Sequence, residues 1–449
     1  MLKQPMAAVR EPGLWKRGVL WLLLLGPFFF ISYGFANWVS GQRSDVGIMV
    51  FDWETSIPLI PWTIIPYWSI DLLYGLSFLL PATRREMDRH AFRLLSVQVL
   101  CVACFLAWPL TFSFDRPAVA GVFGSLFDLL MGFDQPFNQA PSLHIALLVV
   151  LWTRFAAHTS SRWQPLLHLW FGLIAVSVLT TWQHHFIDLP TGVLAGCLCL
   201  WLWPTTQPSP LAKMQLTRDP QRRRLTLRYL TGSALLAILA FYFAGAALWL
   251  LWPAVSLLMV ALNYLLFGAQ GFQKRATGTL SPGAWGLFAP YMLGAWINSR
   301  LWTRRAPEPV HVADNVWLSR IPSRRSVHEA AALVDLCAEL PINTQGKPYR
   351  SLPVLDLTAP SETTCRAAAQ AIEELRQQGQ GPVLVYCALG YSRSATAVAA
   401  WLLNTGRCKN TTEALACLRK ARPRVVLTPA HQSTLELLNR EPEAVINGV

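Results

Sequence analysis

Cys387 and Arg393 are the residues whose types and spacing most directly describe a reaction. They bound the run Cys387-Ala388-Leu389-Gly390-Tyr391-Ser392-Arg393-Ser394, a Cys-x-x-x-x-x-Arg-Ser loop. Before it, Val383-Leu384-Val385-Tyr386, flanked by Gly381 and Pro382, predicts a short buried strand. After it, an Ala-rich stretch through Leu403 predicts a helix. A loop between a strand and a helix N-terminus aims several backbone N–H groups at one centre, with the helix dipole behind them. That centre holds an anion and favours a reactive thiolate at Cys387. Gly390 allows the tight turn, and Arg393 carries the fork that grips two phosphate oxygens. Ala388, Leu389, Gly390, Tyr391 and Ser392 would line the phosphate cradle, and Ser394 can donate to the sulfur when the thiolate leaves.

A second constellation lies in the apolar half of the chain, where histidines are costly and default to a functional role. Arg116-Pro117 follows the third apolar run, and Pro141-Ser142-Leu143-His144 opens the fourth. His184-His185-Phe186-Ile187-Asp188 links the fifth to the sixth. His184 and Asp188 are four apart, so a helix would place them on one side. That suits a histidine nucleophile held in one tautomer by a carboxylate.

These residues need a scaffold, and the composition says of what kind. The 449 residues are 53% hydrophobic and only 14% charged. Nearly all of the excess lies before about Arg300, which argues for a membrane half followed by a water-soluble α/β half. Apolar runs near 18–38, 59–81, 92–110, 143–157, 165–181, 186–204, 229–251 and 254–269 predict about eight spans. The first is long and lacks a small-residue cleavage site, so it reads as an anchor rather than a signal peptide. Gly283–Trp302, interrupted by Pro290, reads as an amphipathic helix on the membrane surface.

The net charge of +13 does not indicate nucleic acid, because the cations sit in the breaks between apolar runs. Lys3, Arg10, Lys16 and Arg17 precede the first span, Arg84, Arg85, Arg89 and Arg93 follow the second, and Arg222, Arg223 and Arg224 precede the seventh. The positive-inside rule puts both termini in the cytoplasm of a cell membrane, the inner membrane if the source is bacterial. The cysteines fall in spans or in the soluble half, so a reduced tail is expected rather than a disulfide framework.

The stretch from about 308 to 440 resembles the dual-specificity members of the protein tyrosine phosphatase superfamily. The resemblance implies a phosphocysteine on Cys387 and a loop Asp that protonates the leaving oxygen and later activates water. Asp356, in Leu355-Asp356-Leu357-Thr358-Ala359-Pro360, stands at the appropriate separation. The family's His before the nucleophile is replaced by Tyr386, and the loop has no Lys. Residues from about 18 to 204 resemble the type 2 phosphatidic acid phosphatase superfamily, in its sphingomyelin-synthase-like branch. That resemblance implies a phosphohistidine on His184 oriented by Asp188, with His144 protonating the leaving group and Arg116 and Ser142 holding phosphate. Pro109 and Val178 stand where this family carries Lys and Arg.

The expected fold is a polytopic all-α membrane domain fused to a cytosolic α/β phosphatase-like domain. Its parts are 1–205, a linker region with two further spans at 206–305, and 306–449. The expected function is a bifunctional membrane phosphatase acting on phospholipid headgroups or lipid-synthesis intermediates, needing no metal or cofactor. A membrane-anchored protein phosphatase with a non-catalytic membrane half, or a phosphate sensor without turnover, is the alternative. The expected partners are a phospholipid or phosphoprotein substrate and the bilayer, with no nucleic acid.

Overall fold

The computed structural model describes residues 10–379 and 381–439; Lys3 lies outside them. The chain forms two compact units, Met1–Ser209 with Pro282–Gly286, and Pro210–Ser281 with Leu287–Val449.

The first unit is helical: α1 (Leu14–Gly41), α2 (Ile64–Leu76), α3 (Arg84–Ala107), α4 (Gly121–Met131), α5 (Leu143–His158), α6 (Gln164–Thr180) and α7 (Asp188–Leu202). Thr83 caps α3 by accepting from the Glu86 N–H, and Ser142 caps α5 by accepting from Ile145. Met87, Val97, Val150, Leu151, Phe171 and Ile174 form the buried core. The outer surface is also apolar, with Leu20, Leu23, Ile31 and Leu72 exposed. A water-soluble bundle would put charge there; a bundle solvated by lipid does not need to.

Glycine sets the closest helix packing. Gly192 and Gly196 lie one turn apart on α7, and a Cβ on Gly196 would stand 2.8 Å from the Ala146 carbonyl oxygen of α5. Small residues at this spacing let helix backbones approach in an apolar medium. The approach also sets the starts of both helices, where the Ser142 N–H donates to the Asp188 carbonyl at 3.1 Å.

The second unit contains α8 (Pro220–Phe243), α9 (Leu251–Leu262), most of α10 (Pro282–Trp302), and an α/β sandwich. The sandwich comprises β1 (Val310–Ala313), β2 (Val316–Ser319), α11 (Arg324–Glu329), β3 (Ala332–Cys337), β4 (Tyr349–Val354), α12 (Glu362–Gln378), β5 (Val383–Tyr386), α13 (Arg393–Asn404), α14 (Thr411–Ala421) and α15 (Pro429–Asn439). The strand order is β1-β2-β5-β3-β4, parallel except for the β1–β2 pair. β5 is central and every residue in it is buried, as its unbroken apolar run requires. Ala368, Ala369 and Ile372 of α12 and Ala397, Val398 and Trp401 of α13 belong to the core beside the sheet. Because β5, β3 and β4 run parallel, their carboxyl ends share one edge, where α/β folds place their sites.

Each of the eight apolar runs carries a helix. Four helical stretches among the described residues are long and apolar enough to cross a membrane: Leu14–Gly41, Arg84–Ala107, Pro220–Phe243 and Gly245–Phe272. The helices α4, α5, α6 and α7 are apolar but shorter. The segment at 282–302 is an unbroken helix despite Pro290 and is not one of the four.

Replacing Gly196 with Val should force α5 and α7 apart at a cost of about 1–3 kcal/mol. The full chain in detergent should then unfold at a lower temperature. Gly172→Val, where nothing lies within 4 Å of the added Cβ, should leave the midpoint in place.

Candidate active site

The three parallel strands each deliver one functional group to the shared edge: β5 leads into Cys387, β3 into Glu339 and β4 into Asp356. Cys387 is 2% exposed, and its sulfur accepts from the Gly390 N–H and from the Ser394 hydroxyl, both at 3.2 Å. Gly390 has φ +74°, and a Cβ there would lie 2.6 Å from the Ser319 backbone, so the turn admits glycine alone. α13 starts at Arg393 and aims its N-terminus at the sulfur's loop. Ser392 is anchored by His431, Oγ to Nε2 at 2.7 Å, and the other ring nitrogen of His431 meets Thr428 at 2.7 Å.

Arg393 is buried, and both terminal nitrogens of its guanidinium are engaged. It donates to both Glu339 oxygens at 2.7 and 2.8 Å, to the Val354 carbonyl at 2.8 Å and to Asp356 Oδ1 at 2.8 Å. Burial works against the Glu339 charge, yet the guanidinium outweighs it and holds that carboxyl below its usual range. Burial pushes the Asp356 carboxyl up; Arg393 pulls the other way and the Glu339 charge adds to the rise. The two carboxyls are thus driven apart in proton affinity, and Asp356, with 28% of its side chain open, is the one that reaches the surface. Tyr386 is fully buried, and burial and then the Asp335 charge push its ionisation up.

Beside the loop lies a cavity of about 310 Å³. Glu339, Asp356 and Ala388 form one wall; Tyr229 of α8, Leu257 of α9 and Tyr291 of α10 are part of the other. None of its lining residues is Lys or Arg.

In the first unit, His184 Nδ1 stands 3.1 Å from Asp188 Oδ2. The expected pair forms, although α7 starts at Asp188 and His184 sits in the turn before it. His144 opens α5 with its ring stacked on Tyr67 at 4.2 Å. His144 and His184 line one cavity of about 310 Å³ together with Tyr33, Tyr67, Asp71 and Asp134. Arg116 is committed to backbone, donating to the Thr181 and Trp182 carbonyls at 3.1 and 2.8 Å, and its guanidinium covers the Phe127 ring. Ser142 is occupied as the α5 cap. His185 pairs instead with Glu54, 3.1 Å from Nδ1 to Oε2.

Glu339, His431, Asp71 and Asp134 were not anticipated from the sequence. The signal for Glu339 was present: an acid two residues beyond a strand, Ala332–Cys337, that is buried throughout.

Residues 319–441 match the family model described as Dual specificity phosphatase, catalytic domain. Among solved structures, Tk-PTP in its active form is 29% identical, covering 30% of this chain and 99% of that one, with a TM-score of 0.28. PTPMT1 in complex with PI(5)P is 23% identical over 29% of this chain and 95% of that one, TM-score 0.27. Human DUSP28 is 23% identical over 29% and 94%, TM-score 0.27. No curated protein matches the chain. The C-terminal part of this protein is a dual specificity phosphatase catalytic domain. It is therefore a cysteine-dependent phosphatase domain, and its substrate is a phosphorylated one.

Gly390→Ala, which drives a Cβ into the Ser319 backbone, should deform the loop and reduce turnover by about 100-fold or more. The check is phosphate release from p-nitrophenyl phosphate by the full chain. Gly406→Ala, another positive-φ site but with open space around it, serves as the control for backbone strain alone.

Proposed function

We propose that the Cys387 site hydrolyses phosphate monoesters of membrane lipids, headgroups or intermediates of their synthesis, at the cytoplasmic surface of a cell membrane. The observation that carries this reading is the cavity beside Asp356, whose other wall comes from α8, α9 and α10. Leu235, Ile238, Tyr242 and Phe243 of α8 are exposed and apolar, as a lipid-facing helix would have them. A lipid headgroup can enter such a cavity without its acyl chains leaving the bilayer. A phosphoprotein would have to thread a segment between helices. With no Lys or Arg lining the cavity, Arg393 is left to bind one phosphate rather than several.

The reaction then runs in two balanced steps. The Cys387 thiolate attacks phosphorus; the bond to the leaving oxygen breaks, and Asp356 gives that oxygen its proton. Phosphate in the loop takes the Arg393 donor that Asp356 otherwise accepts from. Asp356, now a carboxylate, takes a proton from water; the water oxygen bonds to phosphorus, the S–P bond breaks, and Ser394 donates to the departing thiolate. Inorganic phosphate is released and Cys387 is restored.

In the same reading His184, oriented by Asp188 and facing His144 across a shared cavity, forms a second phosphoryl site in the membrane half. About eight spans with both termini in the cytoplasm, as the charge pattern predicts, would set it toward the opposite leaflet.

Full-length protein in detergent should release phosphate from single-phosphate lipids, and Cys387→Ser should abolish that activity. Faster turnover of phosphotyrosine peptides than of lipids would sink the lipid assignment. His184→Ala should remove a separate lipid activity that Cys387→Ser leaves intact; if it removes nothing, the membrane half is an anchor.

The pH dependence follows from Asp356. Its acid form is the active one, so kcat/KM should fall as pH rises through a carboxyl pKa lying above the usual aspartate value. Asp356→Asn should erase that alkaline limb and slow alkyl phosphates by about 100-fold or more.

A further inference from the structure

The membrane segment of the second unit reaches into both acidic loops of the Cys387 site. Tyr264, which follows α9 and is 1% exposed, donates its hydroxyl to the Asp356 carbonyl oxygen at 2.8 Å. Gln221, in the first turn of α8, donates its side-chain amide to the next carbonyl, that of Leu357. Leu357 has φ +57°, a left-handed conformation that leucine rarely adopts. Leu357 is 53% exposed, so its own packing does not hold the turn. A strained residue persists where its surroundings over-determine it. Here two donors on consecutive carbonyls, both from the membrane segment, meet that need.

The Glu339 loop is held in the same way. Lys274 is fully buried; its Nζ lies 2.5 Å from Asp335 Oδ2 and donates to the Cys337 and Leu340 carbonyls at 2.6 and 2.7 Å. Those carbonyls bracket Glu339, which fixes the Arg393 guanidinium. The Ile342 N–H continues the contact by donating to the Gly278 carbonyl at 2.9 Å. Gln221, Tyr264 and Lys274 all lie outside the stretch that matches the phosphatase family, 319–441.

We infer that Tyr264 and Gln221 are positioning residues for proton delivery by Asp356, and Lys274 for phosphate binding by Arg393, so that the membrane segment completes the phosphatase site. This rests on the reading of Asp356 as the proton donor. A donor matters in proportion to how poorly the leaving oxygen carries negative charge. An alkoxide needs the proton, whereas p-nitrophenolate leaves without it. Loosening the Asp356 loop therefore penalises alkyl esters selectively, which a general loss of folded protein cannot do.

The experiment measures KM and kcat/KM on n-octyl phosphate and p-nitrophenyl phosphate with the full chain in detergent; kcat/KM reports the steps through phosphocysteine formation and leaves out the hydrolysis step that both substrates share. Asp356→Asn is the reference and should lose the alkyl substrate selectively. Tyr264→Phe should show the same asymmetry in weaker form: kcat/KM about tenfold lower on octyl phosphate and within about twofold on the activated ester. Adding Gln221→Ala should deepen it. Lys274→Met should instead raise KM for both substrates and weaken vanadate binding, with Lys274→Arg restoring part of each. Where Lys274→Met fails to fold, Lys274→Met with Asp335→Asn removes both buried charges and carries the same expectation. Equal losses on the two substrates in Tyr264→Phe, beside a selective Asp356→Asn, would overturn the inference alone. A non-selective Asp356→Asn would overturn the proton-donor reading and this inference with it.

Discussion

The second unit depends on one buried cation. Arg393 sits at the first turn of a helix whose next nine residues are all buried, so its charge has no route to water. An uncompensated guanidinium in that position costs several kcal/mol. Glu339 compensates it with two parallel hydrogen bonds, and the Val354 carbonyl and Asp356 complete the set. The partners come from the ends of two neighbouring strands, β3 and β4, so these must be in register with β5 before the charge can be buried. The same requirement presents the guanidinium edge to the phosphate loop. Fold and chemistry thus share one electrostatic constraint, and neither loop is free to drift.

The catalytic loop was legible because local sequence forces it. A four-residue apolar strand, a glycine at the one positive-φ position and an alanine-rich helix leave Cys387, Arg393 and Ser394 little choice of arrangement. Asp356 was singled out by its separation from Cys387, and the structure sets its carboxylate on Arg393. Glu339 and Lys274 were not, because a buried ion pair is a long-range fact. Lys274 lies 61 residues from Asp335 and reads in the sequence as a cation after a span. Its role appears only when the hairpin between Lys274 and Leu280 meets the end of β3.

In the apolar half, periodicity marked where helices lie, and the His184–Asp188 pair came from four-residue spacing. Arg116 went differently. As a cation beside an apparent active site it reads as a phosphate ligand, and in the structure its Nε and Nη2 donate to two carbonyls in the turn after α6. A guanidinium in an apolar medium takes the nearest acceptors, and spacing cannot say whether those are substrate or backbone. The cavity beside His184 also holds Asp71 and Asp134, residues that sequence alone files as helix and loop polar positions.

The strand order has a consequence for how this protein is made. β5 lies at the centre of the sheet but is the last of its strands to be synthesised. Until it arrives, β2 and β3 face an empty slot, each offering an unpaired edge to any other nascent chain. Gln221 on α8 and Tyr264 and Lys274 after α9 are made about 110 to 160 residues earlier, at the ribosome's usual several residues per second. The apolar helices α1 to α9 are therefore complete before the sheet can close. The Cys387 loop follows β5, so it is made on a chain whose apolar helices are already finished.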